Sequence, residues 1–104
     1  MNTHQKYQTI GHCHFDFTYR KNDSWEYPES GLLLIECGDG RWFIEQDFGD
    51  EYDRFAGVVK SSDDVLTEPT FYANVEDVAR AAFALIKQVY PTTPDVRLTD
   101  FLTS

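Results

Sequence analysis

His12-Cys13-His14-Phe15-Asp16 is the one short stretch whose residue types and spacing suggest chemistry. His-x-His on an extended strand projects both imidazoles from one face. Such a pair can chelate zinc at about 2.0–2.1 Å per nitrogen. Asp16 stands four residues beyond His12, about 13 Å along a straight strand. The three cannot close on one ion unless the strand bends. Cys13 alternates to the face opposite both histidines, so neither can serve it as a base. The third histidine, His4, is also near the N-terminus, and no imidazole follows His14. The stretch therefore reads as a strand with two half-exposed histidines. No metal, no cofactor and no catalytic residue is expected, and a small metal-dependent enzyme using His12 and His14 is the alternative.

Over residues 12–16 the string resembles the opening of the His-x-His-x-Asp-His motif of metallo-β-lactamase-like hydrolases. Where that motif has its next histidine this chain has Phe17, and 104 residues are fewer than that fold requires. Glu36-Cys37-Gly38-Asp39-Gly40-Arg41-Trp42 contains closely spaced glycines but matches neither glycine-rich phosphate pattern. The chain has no basic patch for a nucleic-acid backbone.

Charge carries more information. The formal net charge is −9, and it is concentrated in one segment. Residues 23–53 hold Asp23, Glu26, Glu29, Glu36, Asp39, Glu45, Asp47, Asp50, Glu51 and Asp53 against Arg41 alone. The first 22 residues are slightly basic by comparison. An acidic surface repels nucleic-acid phosphates and anionic lipid and attracts basic proteins. Within Glu45–Phe55, Glu45, Asp47, Asp50, Glu51 and Asp53 surround Phe48, Tyr52 and Phe55. Aromatic anchors inside a charged rim are the usual anatomy of a protein interface. Trp25 and Tyr27 sit in the polar run 21–30 and add two aromatics to that surface. The expected partner-binding set is Trp25, Tyr27, Glu45, Asp47, Asp50, Glu51, Tyr52 and Asp53.

The elements that must position these residues follow from periodicity. From Tyr7 to Tyr19, apolar and small residues fall on odd positions and polar ones on most even positions, which predicts a strand with one buried face. Gly11 marks a bulge or bend within it. The run 21–30 reads as loop. Leu32–Cys37 and Arg41–Phe48 flank Gly38-Asp39-Gly40 and predict a tight hairpin. Ala56–Lys60 is a further short strand, and 61–70 is connecting loop. Asn74 is a good helix cap, with Glu76 and Asp77 where the helix dipole favours acids. Val75, Val78, Ala79, Ala82, Phe83, Ile86 and Val89 then recur at helical spacing until Pro91, predicting a helix over about 74–90. A short C-terminal helix follows, with Pro94 at its first position and its end near Leu102. The expected fold is α+β. It has an antiparallel sheet of about four to five strands, the main helix on one face and the short helix at the C-terminus.

A chain of this length suits a single domain, 1–104. No apolar run is long enough to span a membrane, and the N-terminal residues lack the apolar region of a signal peptide. With Cys13 and Cys37 as its only cysteines, the expected setting is reducing and cytoplasmic, with free thiols.

In size, charge placement, aromatic content and α+β layout, the chain resembles the small acidic bacterial immunity proteins of contact-dependent and polymorphic toxin systems. The resemblance rests on the overall profile and on no diagnostic motif. It implies a non-enzymatic inhibitor that neutralises a basic protein partner, foremost a bacterial toxin nuclease domain, without direct contact to nucleic acid or membrane. The same profile fits a phage or mobile-element nucleic-acid mimic of the anti-CRISPR type.

Overall fold

The computed structural model describes residues 2–61 and 63–103. Helix α1 (Thr3–Tyr7) is followed by strand β1 (Thr9–Phe15), strands β2 (Tyr19–Lys21) and β3 (Ser24–Glu26), then β4 (Gly31–Cys37) and β5 (Trp42–Phe48). Strand β6 (Val58–Val59), helix α2 (Val75–Val89) and helix α3 (Val96–Thr103) complete the order. The main sheet is ordered β1-β4-β5-β6, and β2 and β3 form a separate two-stranded ribbon.

The α+β class holds. The pairs β1–β4 and β4–β5 are antiparallel, whereas β6 runs parallel to β5, so the sheet is mixed at that end. The expected hairpin joins β4 to β5. Its turn closes with Gly40 at φ +93, and Asp39 accepts from the Arg41 N–H at 3.0 Å.

The alternation across residues 7–19 is confined to β1, where even positions face solvent and odd positions face inward. Gly11 does sit at a register shift. Tyr7 and Gln8 do not belong to the strand. Asn2 and Gln5 make a reciprocal capping box that starts α1, and Gln8 ends it at φ 53. The 21–30 loop likewise contains ordered structure. Asn22, at φ 58, turns the chain between β2 and β3, which places Trp25 on a ribbon strand.

Both faces of the sheet are covered. On one face α2 presents Val78, Ala79, Ala82, Phe83 and Ile86 to Leu32, Leu34 and Ile44. On the other, Tyr7 of α1 and Phe71 close over Ile35, Cys37, Phe43 and Val59, with the three aromatic rings edge to face 5.3–6.0 Å apart. The consecutive run Leu32–Ile35 suits a strand that faces apolar neighbours on both sides. α2 is capped as expected, the Asn74 side chain accepting from Asp77 N at 2.8 Å. α3 begins at Val96, with Pro94 before it, its carbonyl accepting from Arg97 N.

The two cysteines are free. Their strands pair, but Cys13 lies opposite Leu34 and Cys37 opposite Thr9, and they pack into different cores.

Candidate functional site

The acidic segment takes its shape where β5 leaves the sheet. A register shift at Gly31–Leu32 sets Phe48 across from Gly31. Its ring occupies the space a Cβ on Gly31 would fill. Gly49, at φ +75, then turns the chain so tightly against Glu29 and Ser30 that a side chain there would overlap both. The turn is pinned from beneath by Gln46, a buried polar residue. Its Oε1 accepts from Tyr52 N at 2.9 Å and its Nε2 donates to Asp53 Oδ1 at 2.6 Å. Glu51 N donates to Ser30 Oγ at 3.1 Å. The Tyr90 hydroxyl accepts from the backbone N–H groups of Glu29 and Ser30, both at 3.0 Å.

The pairing of β1 and β5 with β4 brings three separate segments to one end of the sheet. Asp16 follows the last residue of β1, Glu29 precedes β4, Asp47 is the penultimate residue of β5, and Asp50, Glu51 and Asp53 follow that strand. All six are exposed. The assembly registers on Tyr52. Burial chiefly raises its hydroxyl pKa, the Tyr90 hydroxyl raises it next, and the charges of Asp16 and Glu51 raise it further. Phe48 stays 40% exposed within this end, and Tyr27, two residues before Glu29, is 84% exposed.

Two members of the expected binding set are not on this surface. Tyr52 is a core residue at 1% exposure. The turn at Gly49 sends the chain back across the α2 side of the sheet, so the acids flanking Tyr52 face water while its ring packs inward. Glu45 is also buried. It points to the opposite face of β5, where α1 covers it. Trp25 is half exposed, but it stands on the ribbon with the Arg20 guanidinium 5.2 Å from its ring centre. Its immediate surroundings are therefore basic as well as acidic.

Glu45 belongs to a second constellation that sequence reasoning missed. His4 Nε2 lies 2.8 Å from Glu45 Oε1, and its Nδ1 lies 2.9 Å from Thr9 Oγ1. His14 Nδ1 lies 3.2 Å from Asp47 Oδ2, and the His12 and His14 rings meet edge to face at 5.5 Å. All three histidines thus share the outer side of the sheet with two carboxylates. Among the described residues, no group of three or more His, Cys, Asp or Glu side chains could hold a metal ion. The signal that could have found His4 is the Asn2-x-x-Gln5 capping box, which announces a helix able to fold back on the strand behind it.

Burial is the main cause raising the Glu45 carboxyl above its ordinary 4.5, and Asp47 adds to it; His4, by charge and hydrogen bond, and His12 oppose it. A carboxyl with a raised native pKa binds its proton more tightly folded than unfolded. Stability from this group is therefore greatest when it is protonated and falls as pH rises from 4.5 through the raised value. Glu45→Gln keeps an acceptor for His4 without the buried charge. Its urea midpoint is expected to match or exceed the parent's at pH 7, with a flatter pH dependence above 4.5. A midpoint well below the parent's at neutral pH would show that the ion pair outweighs the burial cost.

Among the described residues, no helix is long and apolar enough to cross a membrane. The chain matches no protein-family model, no curated protein and no solved structure.

Proposed function

We propose that the chain is a non-enzymatic inhibitor of the immunity type, docking the acidic end of its sheet onto a basic protein partner. A bacterial toxin nuclease domain is the partner class its profile fits best. One observation carries the reading. Acids from three separate segments stand at the end of the sheet where Phe48 is 40% exposed, and hydrogen bonds hold the turn that displays Asp50, Glu51 and Asp53. A solubility feature needs no such scaffolding, whereas a docking surface gains from rigid presentation.

The partition between acids and aromatics gives the test. Rim carboxylates act mainly on encounter, and an aromatic anchor acts mainly on residence. Co-expression with a basic toxin domain encoded beside this chain should restore growth of a sensitive cell. Neutralising Asp47, Asp50 and Glu51 together should slow association roughly tenfold or more at low salt and flatten its salt dependence. Phe48→Ala should instead speed dissociation. Full rescue by the folded triple variant, with an unchanged association rate, would reduce the acidic end to a solubility feature.

A further inference from the structure

One rim acid of the docking end has an imidazole beside it. His14 Nδ1 lies 3.2 Å from Asp47 Oδ2, with 67% of the His14 side chain and 29% of the Asp47 side chain exposed. The His12 ring meets the His14 ring edge to face at 5.5 Å, and His12 is exposed as well. Two solvent-facing imidazoles thus stand next to one rim carboxylate. In register, His14 is opposite Leu33 and Leu33 opposite Glu45, while His12 is opposite Ile35. The middle strand β4 therefore sets apolar side chains between the histidines and β5. The titratable groups facing the two rings are Asp47 and Glu45 from β5 and His4 from α1, and Asp16 follows two residues beyond His14. Glu45, raised first by burial, feels both Asp47 and His12 through space, so these groups share one field. His4 is taken up by Glu45 on one ring nitrogen and Thr9 on the other. His12 and His14 are the imidazoles that face the rim.

Imidazole is the side chain that ordinarily changes charge between pH 5 and 8, a span in which exposed carboxylates stay ionised. With both rings neutral, Asp16, Glu29, Asp47, Asp50, Glu51 and Asp53 act at full charge. With both rings protonated, two cations stand against those six acids, and they stand at Asp47. An exposed pair of this kind adds little to folding stability. Steering of a charged partner, in contrast, follows the summed field of the patch.

We propose that His12 and His14 make docking at the acidic end pH-sensitive: neutral rings leave it able to draw in a basic partner, and their protonation beside Asp47 weakens that attraction as pH falls. This regulation rests on the docking role proposed above. It acts on encounter, so association slows while the aromatic contact that sets residence is spared.

The experiment is stopped-flow association with a fluorescent decalysine peptide, whose ammonium groups stay charged throughout, at low and matched ionic strength. The parent should associate about threefold or more slowly at roughly pH 5.5 than at pH 8, and high salt should erase the difference. His12→Gln with His14→Gln should match the parent at the higher pH and keep most of that rate at the lower one. This double variant retains His4 and Glu45, so neither can imitate the effect. His14→Lys, a fixed cation beside Asp47, should already be slow at the higher pH. Melting curves there establish that both variants fold. Equal parent rates at the two pH values, or a pH dependence kept by the folded double variant, would overturn the regulation and leave the docking role standing. Decalysine association untouched by neutralising Asp47, Asp50 and Glu51 together would overturn the docking role, and the regulation with it.

Discussion

Replacing Tyr52 by alanine is expected to cost about 3–5 kcal/mol of folding stability, the range for emptying a buried aromatic site. Small domains hold only about 5–15 kcal/mol in total, so this variant sits near the limit of folding. The ring is 1% exposed and packs in the larger core, 6.1 Å from the Phe55 ring centre. Its backbone N–H closes the turn through Gln46, so losing the ring also loosens the acidic end above it. The hydroxyl pKa is raised mainly by burial, which keeps it protonated across ordinary pH. Tyr52→Phe should therefore stay close to the parent in urea midpoint, whereas Tyr52→Ala should fall far below it. A residue at an interface would behave the other way, leaving the midpoint alone and shortening residence on the partner. Near-parent stability of Tyr52→Ala would return Tyr52 to the surface and undo the turn geometry described above.

Tyr52 also shows why part of the site escaped sequence reasoning. Its neighbours Glu51 and Asp53 are both acids, and local composition alone predicts a solvated segment. What reverses the ring is a turn at Gly49, shaped by Ser30 and Glu29 some twenty residues earlier. Glu45 escaped for a similar reason. Period-two alternation sets it on the face of β5 opposite Ile44, but no local pattern says that face is covered. The cover is α1, and its His4 is 41 residues away in sequence. Where signals are local, the reading succeeded. The Asn74 cap, the odd-even alternation of β1, the bulge at Gly11 and the β4–β5 turn each depend on residues a few positions apart. The acids Asp47, Asp50, Glu51 and Asp53 were legible as exposed charge. Their company, Asp16 and Glu29, was not, because only strand pairing brings those segments together.

Ile86→Ala is expected to cost about 2–5 kcal/mol, and it tests the placement of the main helix as well as its packing. Ile86 is 2% exposed, on the α2 face that meets the sheet, while Val75 at the start of the same helix is 37% exposed. Both are β-branched and both become alanine, so helix propensity improves at each site by a similar few tenths of a kcal/mol. Only burial distinguishes them. Ile86→Ala leaves a cavity between α2 and the sheet that close-packed neighbours fill incompletely. Val75→Ala removes methyl groups beside an open cleft. The expected pattern in urea is a large fall in midpoint for the first, a shift near zero for the second, and unchanged slopes for both. Equal shifts would mean that α2 is rotated about its axis. Rotation would also move Tyr90, whose hydroxyl holds the Glu29 and Ser30 backbone beneath the acidic end. The helix face thus bears on the site: the contacts that bury Ile86 also fix the direction in which Tyr90 reaches the turn.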